Sequence, residues 1–342
     1  MSEQFRYKDS RGVSRLMSDH IDPHRILAEE IGPAYEDYRR RWEAARTFQE
    51  QPAFPIHVDY EMMFRCNLSC PMCLMSLPPE RRRVYGSAAE ALSPEKVREL
   101  IDEGARNGQC AMGFGGLWEP LLSPAIPDLV AYGRSKGLVD ALFNTNGFFL
   151  TEDTGRALID SGLTKLMISL DAASEEVYAQ MRVGSDFNTV ASNIEKFMNL
   201  RARMNSRLPL VRLSFCRTAL NEHELEPFLE RWHGLVDFFS IQAYGRYESA
   251  DPPGFPADWL APPPAGRCAQ PHKRLLIRHN GDIMPCCDAS GTQLVMGNVH
   301  KDSLFEIWNG PKLAELRQRL GAGDLKGLAA SCQACQDKFE TA

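Results

Sequence analysis

The sequence predicts an α/β protein built on a partial (β/α)6 TIM-like barrel, with a helical N-terminal extension and a small cysteine-rich C-terminal domain. Three observations predict this architecture. Short apolar runs alternate six times with longer amphipathic runs, beginning at residue 54. The alternation ends at a proline-rich stretch, and seven of the ten cysteines fall into two clusters, one on each side of that stretch.

The apolar runs are strand candidates because they are short, and six of them in alternation with helices predict a parallel sheet. They cover 54–61, 109–114, 138–144, 164–170, 208–216 and 236–243. The amphipathic runs that we predict as helices cover 94–107, 124–136, 151–161, 188–204 and 221–233. In such a barrel the chemistry is expected at the carboxyl ends of the strands.

The barrel is predicted to occupy residues 51–250, after a helical extension over 1–50. Six of the 22 prolines fall in 251–266, which predicts a linker. Residues 267–342 form the C-terminal domain. It should begin with a hairpin whose turn is Asn280-Gly281, followed by two helices over 302–309 and 311–320.

Charge and hydropathy narrow the class of protein. The formal net charge is −6 and there is no long basic block, so no nucleic-acid partner is expected. No apolar stretch approaches the ~18 residues that span a bilayer, and no export signal is evident, so we expect a cytoplasmic protein without a membrane partner.

The first cysteine cluster follows the first strand with the spacing C-x3-C-x2-C, at Cys66, Cys70 and Cys73. Three thiolates can bind three irons of a [4Fe–4S] cluster and leave the fourth iron open to another ligand. A zinc site that borrows a distant fourth ligand is the alternative.

The second cysteine cluster can supply four thiolates, from Cys268, Cys286, Cys332 and Cys335. Four thiolates close a site completely, which describes a structural or electron-transferring centre; zinc is again the alternative. Cys287 is a surplus thiol beside Cys286. Cys110, in the second strand candidate, is interpreted as a core residue.

With these motifs, the chain resembles the radical S-adenosylmethionine (SAM) superfamily over residues 54–250. The resemblance implies that the open iron chelates SAM, and that an electron from the cluster cleaves SAM to methionine and a 5′-deoxyadenosyl radical. That radical abstracts hydrogen from an unactivated C–H bond. An external electron donor such as flavodoxin or ferredoxin is implied as a partner.

The same resemblance implies SAM contacts at the ends of successive strands: Met72, Gly115, Gly116, Glu119, Asn146, Ser169 and Arg182. Trp118 departs from the family's Gly-Gly-Glu-Pro loop, because a second glycine is usual there. Ser169 could alternatively cap the helix that begins near Ser174, and Arg182 could be a surface residue.

The C-terminal cysteines resemble the SPASM/twitch extension of this superfamily, which binds auxiliary [4Fe–4S] clusters. The short sequence after Cys335 favours the twitch form with one auxiliary cluster, and hence two clusters per chain. The spacing is similar to that of the 2-deoxy-scyllo-inosamine dehydrogenases, which oxidise an aminocyclitol alcohol to a ketone.

That similarity favours a small hydroxylated metabolite as substrate (a sugar, aminocyclitol or nucleoside), with two-electron oxidation of an alcohol. Catalytic candidates are Arg246, at the end of the sixth strand, and Cys216, whose thiol could return a hydrogen atom. Further candidates for contacting the substrate are Asp59, Glu61, Arg217, Gln242, Tyr244, Tyr247 and Glu248.

Three other functions stay open. The first is redox-neutral decarboxylation, epimerisation or elimination on a sugar or nucleoside. The second is modification of a ribosomal peptide, against which the 1–50 extension counts as too short and too helical for a winged-helix leader-binding domain. The third is a metal-binding protein without enzymatic activity.

Overall fold

A single mixed sheet organises the molecule. The computed structural model describes residues 15–17, 21–243, 267–286, 294–328 and 332. The strands in this part of the chain are β1 (Arg15–Met17), β2 (His57–Tyr60), β3 (Ala111–Phe114), β4 (Asp140–Thr145), β5 (Lys165–Ser169), β6 (Leu210–Arg217), β7 (Phe238–Ala243), β8 (Arg274–Ile277), β9 (Asp282–Met284) and β10 (Gly297–Asn298). Their order in the sheet is β1-β7-β6-β5-β4-β3-β2-β8-β9-β10.

The six central strands, β2 to β7, pair in parallel with their neighbours in chain order. Each lies within a predicted strand or overlaps it, so the predicted α/β fold with its partial barrel is confirmed. Alternate residues of these strands point outward into the apolar core between sheet and helices, as Phe114, Phe143 and Ile168 do.

Helices follow the strands as predicted, and several of them begin at a residue whose side chain caps the helix. They are α1 (Pro23–Ile31), α2 (Pro33–Arg46), α3 (Pro79–Arg82), α4 (Pro94–Arg106), α5 (Ile126–Ser135), α6 (Glu152–Asp160), α7 (Glu175–Met181), α8 (Phe187–Arg203), α9 (Leu225–Trp232), α10 (Leu304–Asn309) and α11 (Pro311–Gly321). The Ser93 hydroxyl accepts from the Lys96 N–H at the start of α4, and Thr151 caps α6 in the same way. None of the described helices is both long and apolar enough to cross a membrane.

The N-terminal extension differs from the single helical stretch that the sequence predicts. Helix α1 ends before Gly32, which has φ of +83°, and α2 begins at Pro33. Neither residue continues a helix from the preceding turn. In addition, β1 pairs antiparallel with β7 and forms one edge of the sheet. The extension is therefore not wholly helical.

The C-terminal hairpin extends the barrel's sheet. β8 pairs in parallel with β2, and the predicted Asn280-Gly281 turn carries the chain back into β9. Gly281 has φ of +85°, which suits a glycine in the turn. The boundary between barrel and C-terminal domain stays a prediction, and the proposed linker at 251–266 lies outside the described residues.

Candidate active site

The first cysteine cluster lies in the loop that leaves β2. Cys70 is buried, while Cys66 and Cys73 are half-buried. The Cys73 N–H donates to the Cys70 carbonyl at 2.9 Å, and the Ser69 N–H donates to the Val183 carbonyl at 2.8 Å. The loop is thus closed on itself and tied to the segment that follows α7.

All three thiols belong to one short loop, and thiolates are the usual protein ligands of a [4Fe–4S] cluster. Burial raises the pKa of the Cys66 thiol and raises that of Cys73 to about 11. The Arg182 guanidinium donates to the Cys70 sulfur at 3.7 Å. The donor set therefore fits an iron–sulfur cluster, whose binding would displace the thiol protons.

The loop after β3 holds the two predicted glycines against β2. A Cβ on Gly115 would come within 3.3 Å of Asp59, and a Cβ on Gly116 would collide with the Glu61 side chain. Gly116 also has φ of +105°, a conformation that glycine alone adopts readily. The departure at Trp118 has a structural explanation, since its indole N–H donates to the Gly115 carbonyl at 2.8 Å and closes the loop.

Glu119 is buried at the end of this loop and joins it to β4. Its carboxylate accepts from the Thr145 hydroxyl at 2.6 Å, from the Asn146 N–H at 2.8 Å and from the Leu121 N–H at 3.0 Å. Burial raises the pKa of this carboxyl despite these donors. Contact with the SAM amino group stays a prediction.

Asn146 links the end of β4 to the cysteine loop. Its side-chain amide donates to the Asn67 side chain at 2.8 Å and its oxygen accepts from the Phe148 N–H at 3.0 Å. Asn67 immediately follows Cys66, so the structure places Asn146 beside the first cysteine cluster.

Arg182 is half-buried, with 14% of its side chain exposed, so its alternative interpretation as a surface residue is wrong. It forms an ion pair with Asp171, which is buried and has φ of +62°. Burial raises the pKa of the Asp171 carboxyl, although Arg182 opposes this shift. A contact with the SAM carboxylate stays a prediction, and it would require Arg182 to share its charge between two carboxylates.

Ser169 is half-buried at the carboxyl end of β5. It does not cap the next helix, because Ser174 is the N-cap of α7 and accepts from the Val177 N–H at 3.3 Å. A SAM contact by Ser169 stays a prediction, as does the contact by Met72, which is partly buried against the main core.

The candidate hydrogen donor Cys216 is half-buried on β6, and its N–H donates to Asp171 at 2.7 Å. Burial raises the pKa of the Cys216 thiol to about 12, so it is protonated at neutral pH. The candidates Arg246, Tyr244, Tyr247 and Glu248 lie outside the described residues.

Asp59 and Glu61 do not serve as separate cavity residues, because both bind the C-terminal hairpin. Asp59 forms an ion pair with Arg274, and Glu61 accepts from the His279 ring at 2.6 Å. The second oxygen of Glu61 accepts from the Leu117 N–H at 2.6 Å. Arg274 and the His57 ring outweigh burial and hold the pKa of Asp59 below its ordinary value. These two carboxylates join the barrel to the auxiliary region.

The second cysteine cluster is described in part. Cys268 is buried and its N–H donates to the Leu320 carbonyl at 3.2 Å, at the end of α11. Cys286 is half-buried just beyond β9, and Cys332 is half-buried against the main core. Cys335 and Cys287 lie outside the described residues. The four ligands therefore stay a prediction.

Cys110 is interpreted from the sequence as a core residue, but it is only half-buried. It precedes β3 and lies beneath α2. The Arg41 guanidinium donates to its sulfur at 2.8 Å.

The sequence interpretation missed a polar row inside the barrel. On β6, Arg212 and Ser214 alternate with outward apolar residues, and the Arg212 guanidinium donates to the Asn144 side chain at 3.0 Å across the sheet. Asn144 is exposed although it lies in a central strand, so the lumen is open there. The alternation within LVRLSFCR was the available signal, since every second residue of a barrel strand faces the interior.

Comparisons with known proteins define the class of enzyme to which this chain belongs. Residues 60–212 match the radical SAM superfamily, and residues 268–336 match SPASM, an iron–sulfur cluster-binding domain. The chain therefore carries a radical SAM domain and a SPASM domain, and the protein is a radical SAM enzyme. It uses SAM and two [4Fe–4S] clusters, one that binds SAM and one auxiliary. When bound, the SAM-binding cluster would supply an electron for cleavage of SAM, and SAM would supply the radical that attacks a C–H bond.

One relative in sequence and two solved structures resemble this chain over most of its length. The mycofactocin maturase MftC of Mycolicibacterium smegmatis is 27% identical over 310 residues, covering 81% of this chain and 75% of the relative. Streptococcus suis SuiB, solved bound to the precursor peptide SuiA, superposes with a TM-score of 0.63 at 14% identity, covering 96% of this chain and 77% of that one. BtrN in complex with AdoMet and 2-DOIA gives 0.54 at 15% identity, covering 84% and 97%. The two structures share the fold.

Proposed function

We propose that this enzyme modifies a ribosomally made precursor peptide by radical chemistry. The observation that carries the proposal is the match to the mycofactocin maturase, because it covers 81% of this chain and 75% of that relative. SuiB, which has the same fold, was solved with a precursor peptide. This is the peptide alternative of the sequence analysis, and the relatives favour it over the small hydroxylated metabolite.

In this proposal Cys66, Cys70 and Cys73 ligate the SAM-binding cluster. SAM is held by the ends of the next strands, through residues Met72, Gly115, Gly116, Glu119, Asn146, Ser169 and Arg182. One electron from an external donor such as flavodoxin or ferredoxin accompanies each SAM cleavage. The hydrogen atom removed from the peptide ends in 5′-deoxyadenosine, and Cys268, Cys286, Cys332 and Cys335 hold the auxiliary cluster.

The test uses the reconstituted enzyme with SAM, dithionite and short peptides encoded beside its gene. We expect 5′-deoxyadenosine to form in step with a mass change on one peptide, and neither to occur with the Cys66→Ala variant. Mass spectrometry of the peptide and chromatography of the nucleoside measure the two products. Deoxyadenosine formation that depends on no peptide, but on a hydroxylated metabolite, would overturn the proposal.

That opposite outcome defines the second candidate, oxidation of an alcohol on an aminocyclitol, sugar or nucleoside. The cysteine spacing of the C-terminal domain favours it, and BtrN, solved with AdoMet and 2-DOIA, has the same fold. The same assay with such metabolites in place of peptides tests it. We expect a product about 2 Da lighter than the substrate, because the oxidation removes two hydrogens.

A further inference from the structure

Arg212 is placed inside the barrel, below the predicted SAM-binding layer. It pairs in register with Met167 of β5, which pairs with Asn144 of β4. Two residues further along the same strands, Ser169 pairs with Ser214. Two residues of a strand span about 7 Å, so Arg212 lies roughly that far beneath Ser169.

Arg212 differs from the other cations that line this sheet, because no carboxylate neutralises it within the described part of the chain. Burial lowers its pKa to about 10, which leaves the guanidinium charged at neutral pH. Three other cations at this sheet are each paired with an aspartate: Lys165 with Asp140, Arg182 with Asp171, and Arg274 with Asp59. A buried charge is normally paired in this way.

The polar atoms around Arg212 are hydrogen-bond donors in need of an acceptor. Its Nε is buried without a partner among the described residues, and so is the Ser214 hydroxyl. An arginine can only donate, so Arg212 donates to the side-chain oxygen of Asn144, and the amide nitrogen of this exposed residue makes no hydrogen bond within the described part of the chain. The lumen thus offers a guanidinium, an amide N–H and a hydroxyl on one face.

We infer that this face binds a carboxylate of the substrate and so positions the reacting C–H bond under SAM. A carboxylate supplies the missing negative charge, and its two oxygens match the two-pronged geometry of a guanidinium. The positive charge of Arg212 matches the single negative charge of a carboxylate. The inference rests on the proposed function only in taking a peptide as the carrier of the carboxylate, at its C-terminus or on an acidic side chain.

The test measures binding to the reconstituted enzyme with SAM bound, by isothermal titration calorimetry. The probes are N-acetylglycine, which mimics a peptide C-terminus, and N-acetylaspartic acid α-methylamide, which mimics an acidic side chain. We expect at least one of them to bind, and the Arg212→Gln variant to weaken its affinity about tenfold or more. The tighter probe identifies the source of the carboxylate. Equal binding of N-acetylglycinamide, or tighter binding of inorganic phosphate, would overturn the inference.

A second variant keeps the test decisive if Arg212→Gln fails to fold. Asn144→Asp changes no side-chain volume but places a carboxylate beside Arg212, so it should abolish probe binding while preserving or raising thermal stability. The control is Arg156→Gln, on the exposed face of α6, which should leave the affinity unchanged. Unaltered probe binding in Asn144→Asp would contradict the assignment.

The two proposals fail separately. Peptide modification without carboxylate binding would remove this inference and leave the proposed function standing. Carboxylate binding that depends on Arg212, with no peptide modified, would remove the proposed function and leave the site.

Discussion

The cysteines of the first site lie within one loop, at 66–73, whereas those proposed for the second come from segments spread over 268–335. The first set is positioned by local hydrogen bonds and by the end of β2. The second set comes from the two ends of the C-terminal hairpin, which joins the sheet beside β2, and from the chain beyond α11. The comparison teaches that one site is nearly a local property of the sequence, while the other depends on tertiary contacts.

The largest expected effect comes from the local site. Alanine in place of Cys66, Cys70 or Cys73 removes one proposed ligand of the SAM-binding cluster, so 5′-deoxyadenosine formation should fall to background. Chromatography of the reaction mixture measures it. The control is Cys110→Ala. The Cys110 thiol contacts Arg41, and both residues are distant in sequence from the cysteine loop, so this thiol should be dispensable for SAM cleavage. Cleavage that persists in all three variants would show that the loop does not hold the cluster.

Next in size is the effect of breaking the dispersed site. Cys332→Ala should lower bound iron from about eight to about four atoms per chain, because one cubane is lost. Some SAM cleavage should survive while substrate turnover stops, if the auxiliary cluster accepts the substrate's electron. Iron analysis and product quantification separate these two effects. Full turnover at half the iron content would rule out the acceptor role.

The junction between the two regions should show an intermediate effect. Glu61 is buried and holds His279 and the Leu117 N–H, so Glu61→Ala leaves groups without partners. We expect it to lower the free energy of unfolding by about 3–5 kcal/mol in a guanidinium titration.

The matched control for the junction is an exposed ion pair on α2. Glu43 and Arg46 are 2.5 Å apart, yet both side chains face solvent. Glu43→Ala should therefore cost only about 0–1 kcal/mol. Similar losses for the two variants would contradict the view that Glu61 joins the regions.

The smallest expected effect is at Gly116, which contacts that junction. Gly116→Ala combines a positive φ with a collision against Glu61 and should destabilise the protein by about 1–3 kcal/mol. Gly137→Ala separates the two causes, because Gly137 has φ of +93° but open space around its Cβ position. Denaturant midpoints of the two variants measure the difference. A loss no larger than that of Gly137→Ala would assign the effect to backbone strain alone.

Much of the architecture could be predicted because its signals are local. The six strands and the hairpin turn follow from apolar runs and an Asn-Gly pair. The short elements escaped prediction: β1 has three residues and α7 seven, too few to show a period. The break at Gly32 was missed because the apolar spacing continues across it, although the Gly-Pro pair was a usable signal.

The candidate site divides in the same way. The cysteine spacing and the glycine loop were visible in the sequence, since their residues are close together along the chain. The roles of Asp59 and Glu61 were not, because their partners Arg274 and His279 lie more than two hundred residues away. Arg212 looked like one polar residue in a strand until the register set it beside Asn144.

The sequence by itself determined the class of chemistry, the order of the six central strands, and the loop that carries the first three cysteines, because each depends on neighbours in the chain. Only the tertiary structure decided that the C-terminal hairpin continues the barrel's sheet and that Arg182 is paired with Asp171. It alone showed that Arg212 faces the lumen without a carboxylate partner in the described residues. The physical reason is that pairing of buried charges depends on distances across the fold, which residue spacing does not encode.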